Sequence, residues 1–382
     1  MPKVVLLLES SRASGRALLC GVARYASHHG PWSFYWEPAG LERAWPMLKS
    51  LDADGIILRD VEQVDEVVAC GIPAVVVGHQ RTEIPGLVNV VTDSVTIGRL
   101  AAEHLLHCGL RHFGYCGLAH SGIERTPWSQ QRGESFEQRL AEAGFTAALY
   151  PPPTRVHRSW AQERQHLVRW LKSLPLPVGI MACNDDRGEQ VIEACRSAQL
   201  QVPDQVAVVG ADNDELVCAF CNPPLSSVVI GFERAGYESA EALHALMRRR
   251  QTHRKIIVPG SHVVTRRSTD ILAVEDPAVA RALRFIRDRN QSAASVSQVA
   301  QAAGLSRRAL EKRFRSTLDR SILGEIRRGR AEHIAQLLAE TTLSISAIAD
   351  QLGFDGPQHI ARYFRAAKGV TPREFRQRRA PC

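Results

Sequence analysis

Between Ser297 and Arg376 one short pattern of residues occurs twice, and no other feature of the 382-residue chain restricts its fold so tightly. The first copy reads SQVAQAAGLSRRALEKRF (Ser297 to Phe314) and the second SAIADQLGFDGPQHIARYF (Ser346 to Phe364). Aligned on Gly304 and Gly353, they share an alanine four positions upstream (Ala300, Ala349) and an apolar residue just downstream (Leu305, Phe354), at an offset of 49 residues. The alanine lets a second helix cross closely, and the glycine supplies the left-handed backbone that stops a helix. Ser306 and Asp355 stand where N-caps of the next helix belong. Leu310 with Phe314, and Ile360 with Phe364, recur at i and i+4 as one buried stripe. Each copy therefore predicts two short helices joined by a tight turn.

What such a second helix leaves exposed is mostly basic or polar: Arg307, Arg308, Glu311, Lys312 and Arg315 in copy one, Gln358, His359, Arg362 and Arg365 in copy two. A compact helix-turn-helix with an Arg-rich second helix is a shape that enters a DNA major groove. A single copy would as readily be a solvated helical hairpin. The charge decides: residues 281–382 hold 20 Lys plus Arg against 9 Asp plus Glu, a balance of +11, whereas residues 1–280 hold 28 against 31, a balance of −3. The basic character belongs to the tail and predicts a polyanionic partner for it. Arg308, Glu311 and Lys312, with Gln358 and Arg362, are expected to face bases, and Arg315, Arg365 and Lys368 to grip phosphates.

This tail resembles the AraC-type DNA-binding domain, in which two helix-turn-helix units are bridged by a long helix, here 322–339. The resemblance covers about the last hundred residues and includes the closing signature GVTPREFR (Gly369 to Arg376), while Asp319 stands where the family usually has glycine. It implies operator DNA as the partner.

The first 270 residues alternate short β-branched runs with amphipathic stretches. VVLLL (4–8), GIILR (55–59), AVVVG (74–78) and VNVVT (88–92) are of strand length, with helices expected at 15–28, 42–51 and 64–70. The pattern restarts with HFGYCG (112–117), FTAALY (145–150), VGIMAC (178–183) and VAVVGADN (206–213), separated by helices, and ends with a helix at 233–249 and one strand near 256–265. Such alternation implies parallel sheets. The expected fold is an α/β two-lobed domain, lobe one being 1–110 plus 232–269 and lobe two 111–231, then a linker at 270–279 and an all-α double helix-turn-helix domain at 280–382. The linker has no Gly/Ser tether, so the two parts are expected to be mechanically coupled.

Ligands of parallel sheets sit beyond the carboxyl ends of the strands. There the chain places Glu9-Ser10-Ser11, Gly78-His79, Thr92-Asp93-Ser94, Asn184-Asp185-Asp186 and Asp212-Asn213-Asp214, with Arg132 opening a helix. Such donors and acceptors suit a neutral polyhydroxylated molecule, with Trp128 or Trp160 against its C–H face. Taken singly, many of these residues would serve equally as helix N-caps. The segments VTDSVTIGRLAAEHL (91–105), QRGESF (131–136), ACNDDRG (182–188), VVGADNDEL (208–216) and PPLSSV (223–228) resemble the sugar-sensing domain of LacI-type regulators, itself similar to periplasmic binding proteins. By that resemblance Asp93, Arg132, Asn184, Asp185 and Asp212 hold the effector, a monosaccharide such as D-xylose. A sensor of this type joined to the AraC-type tail implies a sugar-responsive transcription factor, expected to be an activator and a homodimer with RNA polymerase as a further partner.

The competing reading is a sugar- or nucleotide-acting α/β enzyme with a nucleic-acid-binding tail. The chain lacks G-x-G-x-x-G after a strand, G-x-x-x-x-G-K-[ST] and G-x-S-x-G, so its phosphate cradles and nucleophile elbow are missing. No catalytic residue, cofactor or metal is expected. Nine cysteines show no framework spacing, and the C-x-x-C at Cys218 and Cys221 has no second pair, so two partly buried thiols are expected, with a redox pair as the alternative. A third reading, an exported transport protein, needs a signal segment. Val4 to Leu8 is only five apolar residues before Glu9, and no run approaches the ~20 needed to cross a bilayer, so a cytoplasmic protein is expected.

Overall fold

The computed structural model describes residues 1–38, 52–60, 64–78, 83–118, 126–151, 159–250, 255–271, 276–289 and 294–379. The expected helix at 42–51, His79, most of the loop before Gln131 and residues 272–275 of the linker lie outside the described residues. The chain divides into two compact units, Met1–Leu106 with Arg111–Asp270, and Ile271–Ala380 with His107–Leu110.

In the first unit, β1 (Lys3–Leu7), α1 (Ala13–His29), β2 (Ser33–Trp36), β3 (Gly55–Arg59), α2 (Val64–Ala69), β4 (Ala74–Val77), β5 (Val88–Thr92) and α3 (Ser94–His107) are followed by β6 (His112–Cys116), α4 (Pro127–Ala141), β7 (Ala147–Leu149), α5 (Trp160–Ser173), β8 (Val178–Ala182), α6 (Asp185–Ala198), β9 (Val206–Asp212), α7 (Glu215–Phe220), β10 (Ser226–Ile230), α8 (Phe232–Met247), β11 (Lys255–Val258) and β12 (Gly260–Val264). Two six-stranded sheets result, in the orders β11-β5-β4-β3-β1-β2 and β12-β10-β9-β8-β6-β7. All pairs are parallel except β10 with β12. The single strand expected near 256–265 is therefore two. β11 joins the first sheet and β12 the second, with the break at Pro259, so lobe one does not continue to 269. The edge strand β2 has no counterpart in the sequence reading.

Helices α1 and α8 pack backbone to backbone behind the first sheet. A Cβ on Gly21 would lie 2.0 Å from the Glu233 carbonyl oxygen, and one on Gly236 2.0 Å from that of Leu18. Each sheet has its own apolar core, one around Val5, Leu7, Ile56, Leu58 and Val76, the other around Leu167, Leu171, Ile180, Val191 and Val208. Cys218 and Cys221 are both buried thiols, and burial pushes each upward, Cys221 to about 12.

The second unit is all helix: α9 (Pro277–Asp288), α10 (Val296–Ala303), α11 (Arg307–Leu318), α12 (Ile322–Glu340), α13 (Ile345–Gln351), α14 (Pro357–Lys368) and α15 (Pro372–Arg379). Ser295 and Gln298 close a capping box on α10, which Gly304 ends at φ +72°, and Ser306 caps α11 by accepting from Ala309 N. Asp319 takes the left-handed conformation (φ +53°) in place of the usual glycine. Asp355 is not the cap of α14. Pro357 occupies the first turn, Gly356 at φ +127° precedes it, and Asp355 instead lies 3.2 Å from His359. Two apolar clusters form, one built on Leu283, Val299, Leu310 and Phe314, the other on Leu338, Ile348, Ile360 and Phe364.

Candidate functional site: an interlobe cavity and two reading helices

A cavity of about 330 Å³ opens beyond the carboxyl ends of both sheets of the first unit, in the size range of small-molecule pockets. Glu9, Arg59 and Thr92 come to it from strands β1, β3 and β5, and Arg12 and Ser14 from the start of α1. From the second lobe come Trp128 and Arg132 on α4, Asn184 to Asp186 after β8, and Asp212 and Asp214 at the end of β9. Parallel strands thus deliver residues distant in sequence to one place.

The charges of this cavity are largely compensated among themselves. Arg59 Nε lies 2.8 Å from Glu9, and Arg12 2.5 Å from Asp186. The buried Arg132 donates to the Cys183 carbonyl at 2.5 Å, approaches Asp212 Oδ1 at 3.5 Å, and lies 4.7 Å over the Trp128 ring. Asp185 accepts from Ser227 Oγ at 2.5 Å and from Asp214 N at 2.7 Å. Burial, reinforced by the neighbouring Asp212 charge, pushes the Asp185 carboxyl well above the usual range. Burial also raises Asp212, against the opposing pull of Arg132 and Arg59. Asp212 and Asn213 hold φ of +106° and +53°. For residues other than glycine such backbone costs of order 1–3 kcal/mol each and persists where surrounding bonds enforce it.

Of the effector residues read from sequence, Arg132, Asn184, Asp185 and Asp212 line this cavity, and Asp93 does not. Both Asp93 carboxylate oxygens are occupied by Thr96, through its N–H (3.0 Å) and its hydroxyl (2.5 Å), at the start of α3. Asn184 also caps a helix, accepting from Arg187 N at 3.0 Å. Of the two tryptophans, Trp128 lines the cavity and Trp160 does not. Sequence reasoning missed Arg12 and Arg59. The charged end of the otherwise buried run GIILR was a usable signal for Arg59, whereas Arg12 is placed only by the tertiary fold.

In the second unit, Leu310 and Phe314 bury one face of α11, and Arg307, Arg308, Lys312 and Arg315 are exposed, with Glu311 partly so. Arg308, Glu311, Lys312 and Arg315 line one shallow groove with Ser306, and Arg307 stands outside it. On α14, Ile360 and Phe364 face inward, and Gln358, Arg362 and Arg365 project at i, i+4 and i+7. The α12 helix holds the second helix-turn-helix, α13 and α14. Its Arg330 donates to the Leu352 carbonyl and stacks 3.9 Å over Phe354, Tyr363 donates to the Arg327 carbonyl at 3.2 Å, and Lys368 pairs with Glu332. Among the described residues no group of three or more His, Cys, Asp and Glu could hold a metal ion, and no helix is long and apolar enough to cross a membrane.

Residues 102–269 match the periplasmic binding protein-like domain family, and residues 299–378 a helix-turn-helix domain family. The chain is 31% identical to the xylose operon regulatory protein of Escherichia coli strain K12, with 98% of this chain and 96% of that protein covered. Against the Haemophilus influenzae protein of the same name identity is 30%, covering 98% of each. The solved structure of a xylose-binding transcription activator, XylR, superposes with a TM-score of 0.61 at 29% identity, over 98% of this chain and 97% of that one. A LacI family regulator from Enterococcus faecium with bound ribose shares the fold of the first unit, with a TM-score of 0.56 at 19% identity over 70% of this chain and 98% of the other. With two-lobed α/β architecture, paired helix-turn-helix units and end-to-end similarity to these regulators, the chain belongs to the AraC-type transcription regulators that carry a periplasmic-binding-protein-like sensing domain.

Proposed function

We propose that the cavity of the first unit binds a monosaccharide, D-xylose or a close relative, and that this controls sequence-specific binding of operator DNA by α11 and α14. The observation that carries the reading is the self-compensated cavity. Its Arg–carboxylate pairs offer both donors and acceptors, which a sugar hydroxyl can match, and its charges leave little net attraction for an anion. Trp128 supplies an aromatic face. The effector set is Arg132, Asn184, Asp185 and Asp212, joined by Arg59, with Asp93 serving as a cap. Ligand favours closure of the lobes because it touches both, and only a difference in affinity between open and closed states moves that equilibrium. The protein works in the cytoplasm as a homodimeric activator, contacts RNA polymerase and turns over no substrate. The domain limits follow as sensor 1–269, linker 270–279 and reader 280–382.

A thermal-shift panel of monosaccharides tests the sugar. A ligand selective for the folded chain raises its melting temperature, by about 2.7 kcal/mol of stability at a hundred times Kd. D-xylose or a near relative is expected to give the largest shift, and Asp212→Ala to remove it. An undiminished shift in that variant places the ligand elsewhere.

Base reading has its own test. Arg308→Ala should weaken binding to the target duplex by ~1–3 kcal/mol, the value of one bidentate pair, and to a scrambled duplex by less. Equal losses on both duplexes would reduce Arg308 to a phosphate contact.

A further inference from the structure

Three consecutive residues at the end of β9 face three ways. Asp212 turns into the cavity toward Arg132. Asp214 reaches the opposite lobe, accepting from Ala13 N at 2.8 Å and lying 3.6 Å from Arg16. Between them Asn213 points away from the cavity, and its Oδ1 accepts from Arg266 Nη2 at 2.8 Å. Arg266 belongs to the segment 264–270, which by connectivity leads out of the sensor toward the reader.

The bonding continues on both sides of that contact. Asn213 N donates to Ser227 Oγ at 3.0 Å, and the same hydroxyl donates to the cavity carboxyl of Asp185. Arg266 Nη1 donates to the Leu225 carbonyl at 2.8 Å, and Arg266 N to Ser226 Oγ at 2.7 Å. Ser226 Oγ lies 2.7 Å from Thr269 Oγ1, and Ser226 N donates to Ser268 Oγ at 2.8 Å. Ser226, Ser227, Ser268 and Thr269 have no measurable exposure. A buried hydroxyl left without a partner costs free energy, so this bonded series resists an isolated rotation at Asn213.

We propose that Arg266, acting through Asn213, is the positioning residue that couples occupancy of the cavity to the exit segment of the sensor. This rests on the reading that a sugar fills the cavity and the second unit binds duplex DNA. Asp212 and Asn213 are consecutive in the chain and both hold positive φ, so a ligand that shifts the backbone at Asp212 displaces Asn213 with it. The planar guanidinium of Arg266 holds two acceptors at once, Asn213 Oδ1 and the Leu225 carbonyl, and carries that turn to residues 266–269.

The test uses the full chain, D-xylose as probe, and a duplex selected by the full chain from a randomised library. Sugar affinity and DNA affinity with and without sugar are measured for the parent, Arg266→Gln, Asn213→Gly, their combination, and Asn213→Asp, which keeps the acceptor. In the parent the sugar changes DNA affinity by a factor of ~5–150. In either single variant that factor falls to about one, with sugar affinity and sugar-free DNA affinity within about threefold of the parent. The double variant loses no more than either single one, because both interrupt the same series, and Asn213→Asp retains the response. A response that survives Arg266→Gln overturns the proposal, as does loss of sugar binding or of sugar-free DNA binding in that variant. A parent that binds the duplex but ignores D-xylose overturns the sugar reading itself, and this appears in the parent alone.

Discussion

Arg132→Ala is expected to lower effector affinity by a hundredfold or more while leaving sugar-free DNA binding unchanged. The residue is 2% exposed, with its side chain fixed by the Cys183 carbonyl and its guanidinium 4.7 Å over the Trp128 ring, beside Asp212. Its guanidinium can offer N–H groups to two ligand oxygens at once, and hydrogen bonds to a charged group contribute ~1.5–3 kcal/mol each. Two such bonds lost amount to ~3–6 kcal/mol, which is two to four orders of magnitude in Kd. The substitution also leaves the Cys183 carbonyl and the Asp212 carboxylate short of a donor, so some loss of melting temperature accompanies it. Arg132→Lys keeps the charge without the fork and should fall between the two. Isothermal titration on all three proteins decides it. Unchanged affinity in Arg132→Ala would mean that no ligand is held there.

Phe314→Ala should abolish DNA binding with the sugar response of the sensor preserved. Phe314 and Phe364 are both fully buried, each within a separate cluster of the second unit. Truncating a buried phenylalanine costs ~3–5 kcal/mol, comparable with everything a unit of this small size has to offer. The α11 face that carries Arg308 and Lys312 then loses its seat on α9 and α10. Helical circular dichroism and duplex anisotropy report the loss, and the thermal shift with sugar reports the intact sensor. Phe314→Leu, which keeps most of the volume, should recover much of the binding. Wild-type affinity in Phe314→Ala would show that α11 is not needed for DNA.

The helical unit was legible because its signals are local. Turn glycines, the capping serines and the i, i+4 stripe each act within one or two helical turns, and Gly304, Ser306, Leu310 and Phe314 stand in the structure as the sequence predicts. Where one local signal yields, another local one explains it: Pro357 in the first turn of α14 moves the cap to Gly356 and excludes Asp355. The division of 256–265 between two sheets was not legible, since IIVPGSHVV reads as one interrupted strand and only the non-local pairing of β11 with β5 and β12 with β10 separates its halves. The cavity was legible in part for the same reason. Strand ends announce Asp212 and Asn184, but an Asp at a strand end is equally a cap, and the Thr96 contacts that occupy Asp93 are read only from coordinates. Arg12 reaches Asp186 across 174 residues of sequence.

One measurement bears most directly on the account, in which a sugar-filled cavity and a pair of groove-reading helices are thermodynamically linked. The affinity of the full chain for its sugar is titrated with and without saturating target duplex, and its affinity for the duplex with and without saturating sugar. Linkage requires the two ratios to be equal, and a factor of ~5–150 is expected for each. Two ratios of one, with both ligands binding tightly, would contradict it.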